Sequence, residues 1–168
     1  FIELVQATDM EIKETFTQNL KSITLRTYIG IGKCEEIRAY LQEQEIQRVV
    51  FNHDLSPLQI RNLEEILQTP VMDRTELILA IFESRAVTRT ARLQIECAQL
   101  KKLLPRLIGA NTQLGRQSGS GKNKGAGEKQ LELDRRRINA RIQELQRELK
   151  KIEAQRFNQR RARQKSML

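Results

Sequence analysis

Two apolar seams lie on either side of a glycine-rich stretch, and this arrangement restricts the fold more than any other feature of the chain. Leu93, Cys97, Leu100, Leu104 and Leu107 follow one another at spacings of four, three, four and three residues. Ile138, Ile142, Leu145, Leu149 and Ile152 repeat that spacing further on. Apolar residues at this period form a stripe along one side of an α-helix, and the stripe needs a partner to cover it. Two such helices joined by one connection predict an antiparallel pair. An arm of about 30 residues reaches roughly 45 Å at ~1.5 Å per residue. The expectation is a stiff hairpin that projects from the rest of the chain with its glycines at the tip. The leucines are packing residues; their contribution to function is reach and rigidity.

The residues ahead of the hairpin read as strands alternating with helices. "FIELVQAT" fits the end of a helix. In "MEIKETFTQ", Ile12 and Phe16, followed by Leu20, suit a helix although the composition favours a strand. Tyr28–Gly32 is a short strand or turn that leads into a helix with Ile37 and Leu41 inward. "RVVFNH" and "PVMD" are short apolar runs with the character of buried strands. Between them, Ser56 can cap a helix, Pro57 suits its first position, and Leu58, Leu63, Ile66 and Leu67 give it an apolar side. Strands alternating with helices imply a parallel sheet with crossover helices. From Asp73 to Leu104 there is no glycine or proline, and Asp73 or Thr75 can cap a helix start. The predicted fold is therefore α/β: a small parallel sheet flanked by helices over residues 1–72, then an antiparallel two-helix coiled-coil hairpin over 73–168. Its tip loop is expected at about 109–127.

Charge is distributed unevenly. Residues 1–104 carry 13 Lys/Arg against 15 Asp/Glu, and residues 105–168 carry 17 against 6. Nearly all of the formal net charge of +9 thus sits in the last third. Concentrated positive charge points to a polyanion, with nucleic acid ahead of an acidic membrane surface. No apolar run approaches a membrane span and no signal peptide is recognisable, so no stable membrane insertion is expected. The chain starts at Phe1 inside an apolar-periodic run, which reads as a piece of a longer protein.

The glycine-rich stretch "GRQSGSGKNKGAGEKQLELDRRR" invites comparison with a phosphate-binding loop. Such a loop needs G-x-x-x-x-G-K-[ST] between a strand and a helix. If Gly121-Lys122 supplied its Gly-Lys pair, the first glycine would fall on Arg116 and the magnesium-binding hydroxyl on Asn123. The preceding element reads as a helix. All three requirements fail. Gly30, Gly32 and Lys33 open another helix and could offer N–H groups to an anion, although a plain tight turn explains them as well. The tip instead combines glycine, which lets backbone approach a ligand closely, with Arg116, Lys122 and Lys124, and with Arg135, Arg136 and Arg137 on the following helix. Three consecutive arginines point in different directions, so some can pair with Glu132 or Asp134 while others face solvent. A basic tip on a stiff arm suits folded RNA, where shape and phosphates dominate recognition. The tip carries no aromatics for base stacking.

Enzyme chemistry is thin. His53 is the only histidine, and its neighbours Asp54 and Ser56 suit loop capping better than a relay. Cys34 and Cys97 lack metal-ligand spacing and read as buried thiols. Glu35, Glu36, Glu64 and Glu65 read as solvated helix charges, and no metal constellation is visible.

Five ordered blocks carry a family resemblance: "TYIGIGKCEEI", "VVFNHDLSPLQIRNLEEIL", "VMDRTELILAIFESRA", "LQIECAQLKKLLPRL" and "GKNKGAGEKQLELDRRRI". Together they resemble the N-terminal region of the HflX family of ribosome-associated GTPases. The resemblance covers nearly the whole chain. It implies the same α/β subdomain and hairpin, and makes the opening segment a helix followed by a strand, an earlier strand being cut off. It implies that a GTP-binding domain follows the hairpin, so that this chain is an N-terminal fragment without GTPase activity or cofactor of its own. The intact protein is expected to hydrolyse GTP with Mg2+, to act in the cytoplasm as a monomer, and to bind the large ribosomal subunit, splitting or rescuing ribosomes. The resemblance places the hairpin tip against rRNA near the peptidyl-transferase centre. By position this implicates Arg116, Gln117, Gly119, Gly121, Lys122, Lys124, Gly125, Gly127, Glu128, Lys129, Gln130 and Leu131, with Asp134, Arg135, Arg136 and Arg137 behind them.

The tip departs from the family pattern G-T-R-G-P-G-E-T-Q-L-E, with Asn123, Lys124, Ala126 and Lys129 at its threonine, arginine, proline and threonine. Ala126 gives up the fixed φ of proline. Lys129 adds charge and removes a hydroxyl. Charge-driven RNA binding survives these changes. Two other readings stand beside this one: a nucleotide site at Gly30, Gly32 and Lys33 in the α/β subdomain, and a coiled coil that serves only protein interaction.

Overall fold

The computed structural model describes the backbone of residues 1–117 and 124–166, and the side chains of residues 1–107 and 129–164. The chain divides into two compact units, Phe1–Ser84 and Arg85–Leu168.

The first unit is built around a two-stranded parallel sheet. Strands β1 (Val49–Val50) and β2 (Val71–Met72) pair Val49 with Val71 and Val50 with Met72. Phe51 N donates to Met72 O at 2.8 Å and extends the ladder. Side chains alternate across a strand. Val49 and Val71 accordingly join one core, with Cys34, Ile37 and Leu41 of α2 (Ile31–Glu43) and Ile60, Leu63 and Leu67 of α3 (Pro57–Leu67). Val50 and Met72 join the other, with Val5 of α1 (Ile2–Gln6) and Leu77 and Ile81 of α4 (Arg74–Arg85). Leu63, Leu67 and Leu77 are completely buried. Each such side chain contributes about 1.5–3 kcal/mol through lost contact with water.

Local chemistry sets the helix boundaries. Ser56 Oγ accepts from Gln59 N at 3.2 Å while Gln59 Oε1 accepts from Ser56 N at 2.9 Å, a reciprocal capping box ahead of Pro57. Asp73 does the same for α4: its Oδ1 accepts from Glu76 N at 2.9 Å, and Glu76 Oε2 accepts from Asp73 N at 3.3 Å. Its other oxygen accepts from Leu55 N at 3.2 Å and ties this cap to the loop after β1.

The two-layered α/β core agrees with the sequence reading, and three details differ. Residues 10–20 form neither the helix nor the strand expected of them. They run without regular pairing, with Met10 and Ile12 on one core and Phe16 and Leu20 on the other. The apolar packing satisfies these side chains without a ladder. The division between units falls after Ser84 rather than at 72/73, because Leu77 and Ile81 seat α4 on the sheet. The unbroken apolar pattern conceals a stop at Ala86–Thr88. There Thr88 Oγ1 accepts from Ala91 N at 3.2 Å and starts a new helix.

The second unit is a helical hairpin of α5 (Arg89–Gln117) and α6 (Lys124–Ser166). Leu93, Cys97, Leu100 and Leu104 pack against Ile138, Ile142, Leu145, Leu149 and Ile152. Leu107 is partly buried. Arg156 Nη2 donates to Thr90 Oγ1 at 3.1 Å, and Arg141 binds Glu96 from α6, so higher numbers on one helix meet lower numbers on the other and the pair is antiparallel. Pro105 lies inside α5 without ending it. Helix also occupies residues 109–117 and 124–127, where the sequence predicts loop.

Candidate nucleic-acid interface

The basic end of the hairpin is where both helices carry an excess of positive charge. Lys101, Lys102 and Arg106 lie on α5 beyond its last acid, Glu96. On α6, residues 129–137 place Lys129 and three arginines against Glu132 and Asp134. Lys129 and Gln130 are exposed.

The arginine triplet is organised by its own helix. Arg136 Nε donates to Glu132 Oε1 at 3.1 Å, and Arg135 Nη1 lies 3.6 Å from Glu132 Oε2. Arg137 Nη1 lies 3.6 Å from Asp134 Oδ1, which also accepts from Gln130 Nε2 at 3.1 Å. These are neighbours three and four residues apart, the spacing at which helix side chains meet. The pairs restrain the arginines without burying them: Arg136 and Arg137 keep 73% and 75% of their side-chain surface open to water. Exposed pairs of this kind contribute about 0–1 kcal/mol, so a phosphate can take an arginine from its carboxylate at small cost. All three arginines have a carboxylate partner on their own helix, and Arg136 and Arg137 face solvent as well.

Further down the hairpin Arg141 reaches across to α5. Its Nε and Nη2 donate to the two oxygens of Glu96 at 2.7 and 3.1 Å, while Nη1 donates to Glu144 at 2.8 Å. The hydrogen bonds it donates to Glu96, then to Glu144, raise the guanidinium pKa above its ordinary value. This clamp sits beside Cys97 and Ile142 and fixes the register of the two helices that present the basic end.

Gly119, Gly121 and Lys122 lie outside the described residues. Arg116 and Gln117 fall in the last turn of α5, and Lys124, Gly125, Gly127 and Glu128 in the first turns of α6. The glycine-rich stretch is entered from a helix, unlike a phosphate-binding loop.

The second candidate site is arranged for structure. Gly30 caps α2 in an extended conformation and its N–H donates to Gln18 Oε1 at 3.3 Å. A side chain at Gly32 would meet nothing within 4 Å, so no close approach demands glycine there. Lys33 Nζ donates to both oxygens of Glu36 at 2.9 Å and lies 5.4 Å from the centre of the Phe16 ring. His53, Asp54 and Ser56 do not form a relay. The His53 ring lies tilted against the Tyr28 ring with centres 4.9 Å apart, Asp54 accepts from the Thr75 hydroxyl, and Ser56 caps α3. Glu64, read from the sequence as a solvated charge, accepts from Val71 N at 3.1 Å at the start of β2. Cys34 and Cys97 are both buried and free, and burial raises the Cys34 thiol pKa. Among the described residues no group of acids, histidines and cysteines could hold a metal ion, and no helix is long and apolar enough to cross a membrane.

Comparison with known proteins extends this picture. The family described as "GTP-binding GTPase N-terminal" matches residues 1–83, and "GTP-binding GTPase Middle Region" matches residues 85–163. The change from one to the other coincides with the structural division after Ser84. The chain is 41% identical to the GTPase HflX of Caldanaerobacter subterraneus over 166 residues, which is 99% of this chain and 39% of that protein. It is 40% identical to the GTPase HflX of Escherichia coli, again over 99% of this chain and 39% of the relative. The chain thus spans well under half the length of these curated relatives. Among solved structures, a GTP-binding protein from the archaeon Sulfolobus solfataricus in complex with GDP superposes with a TM-score of 0.65 at 25% identity, over 91% of this chain and 41% of the other. A complex of SsGBP with GDP superposes with a TM-score of 0.70 over 94% of this chain and 41% of the other; at 24% identity it speaks for the fold alone.

Proposed function

The chain belongs to the HflX family of GTPases, corresponding to the N-terminal and middle regions of its members, and from that premise we propose that the basic end of its hairpin binds ribosomal RNA of the large subunit. On this reading the contact lies near the peptidyl-transferase centre. The intact protein hydrolyses GTP with Mg2+ in a domain beyond this chain, acts in the cytoplasm, and splits or rescues ribosomes.

The observation that carries the reading is the charge of the last third: 17 Lys/Arg against 6 Asp/Glu in residues 105–168. The packed seams give this charge a stiff support. The glycines, which make the backbone's own N–H groups approachable, adjoin it. Arg135, Arg136 and Arg137 are pre-arranged by weak exposed pairs that phosphate can displace. Replacing condensed counterions along RNA then drives association, and makes it fall with salt.

Co-sedimentation of the chain with large ribosomal subunits over a range of KCl concentrations tests this. Association should weaken steeply with salt. Replacing Lys122, Lys124 and Lys129 together by alanine should reduce both the affinity and its salt dependence. Unchanged association in that variant would refute the tip as the RNA contact.

A further inference from the structure

The hairpin has a second cationic end, and it is built differently from the first. The apolar seam of α6 stops at Ile152. Continuing its spacing of four, three and four residues gives Arg156, Gln159 and Arg163. The side of α6 that is aliphatic along the hairpin thus becomes basic where its partner runs out. Arg156 donates to Thr90 one residue inside the start of α5, and α6 continues ten residues further to Ser166. Every described side chain from Glu153 to Gln164 is exposed. Residues 154–168 hold five Lys/Arg and no acid.

This contrasts with the arginine triplet near the tip, where Glu132 and Asp134 partly neutralise the cations. Arg160 and Arg161 have no carboxylate within four residues on their own helix, and make no ion pair among the described residues. Between the two ends, residues 138–153 carry four Lys/Arg and three Asp/Glu, so the middle of α6 is close to neutral. A solvated helix surface normally mixes both signs, as this middle does; a run of like charge without acids is a polyanion-binding pattern.

We propose that the exposed stretch of α6 after Arg156, centred on Arg160 and Arg161, is a second RNA phosphate contact. It rests on the reading above for the identity of the polyanion. Lys129 and Arg160 are 31 residues apart on one helix, about 46 Å at ~1.5 Å per residue, so the hairpin touches RNA at two separated points. The extension is ill suited to an anionic membrane, which takes up helices with a broad apolar side. Residues 154–164 offer only Phe157 and two alanines.

The test measures binding of the 168-residue chain to large ribosomal subunits and to a generic 24-base-pair RNA duplex as a function of KCl. Four forms are compared: the unaltered chain, R160Q/R161Q, R160K/R161K, and the tip triple Lys122→Ala, Lys124→Ala, Lys129→Ala. Each lost phosphate contact lowers the slope of log affinity against log salt by about 0.7–0.9. R160Q/R161Q should lower it by roughly 1.5, weaken binding several-fold at low salt, and leave the helical circular dichroism unchanged. The lysine pair should retain the slope. Loss with the extension variant but not with the tip triple supports this contact and refutes the tip. Loss with the tip triple alone, R160Q/R161Q being unchanged in affinity and slope, overturns this contact and leaves the tip reading intact. Binding to vesicles of anionic phospholipid that R160Q/R161Q abolishes, with RNA binding unaffected, also overturns it.

Discussion

Arg141 on α6 grips Glu96 on α5 with two hydrogen bonds, Nε to Oε1 at 2.7 Å and Nη2 to Oε2 at 3.1 Å. A guanidinium fork of this kind recognises the plane of a carboxylate as well as its charge. It sits directly beside the hydrophobic seam, so it specifies which turn of α5 faces which turn of α6.

The clamp is open to water, and its contribution to stability is therefore small beside its contribution to register. Glu96→Gln and Arg141→Lys should each lower the melting temperature of the hairpin less than Leu145→Ala does. A double-mutant cycle on Glu96 and Arg141 should show a non-zero coupling that weakens with added salt. Additive effects would mean that the pair does not act as a unit.

Leu145 has no solvent exposure, while Leu149 and Ile152 pack on the same cluster only partly covered. Truncating a buried leucine costs about 2–5 kcal/mol, depending on how far the site collapses. Leu145→Ala should fall in that range in urea unfolding followed by circular dichroism, and Leu149→Ala clearly below it. Equal losses would contradict the packing described.

The carboxylates beside the arginine triplet compete with RNA for the same cations. Releasing them should strengthen binding. Each exposed pair is worth roughly 0.2–1 kcal/mol, which corresponds to about 1.4- to 5-fold in affinity. Glu132→Gln with Asp134→Asn should therefore raise affinity for large ribosomal subunits and steepen its salt dependence. Weaker binding in this variant would mean that the pairs position the arginines for their target rather than merely occupy them.

Much of this arrangement is legible in the residues themselves. The two seams announce their pairing, because nine of the ten positions at four-three spacing meet in one cluster. Ser56-Pro57 and Asp73 mark helix starts through chemistry confined to four residues. The rest depends on contacts distant in sequence or on weak local signals. Leu77 and Ile81 look like the beginning of the hairpin until the sheet is present to receive them. Thr88 is an ordinary helix cap, easily passed over in a run without glycine or proline. Residues 10–20 carry apolar side chains at a period that suits several structures, and packing alone decides between them. At the basic end, sequence reveals the excess of charge; only geometry assigns Arg135 and Arg136 to Glu132, and Arg137 to Asp134.

The two thiols report separately on the two units. Cys34 lies in the core of the first unit with no exposed surface, and Cys97 is buried in the hairpin seam. Burial raises the Cys34 pKa, so at any pH below that value less of it is thiolate than of a free cysteine. Thiolate is the reactive form, and its reagent must also reach it. Both cysteines should therefore resist an aromatic disulfide reagent at pH 8 in the folded chain and react fully in denaturant. Leu145→Ala loosens only the seam, so it should accelerate labelling of Cys97 while Cys34 stays slow. Mass spectrometry of the labelled peptides separates the two. Equal acceleration at both positions would contradict this expectation and show that opening the hairpin also opens the α/β core.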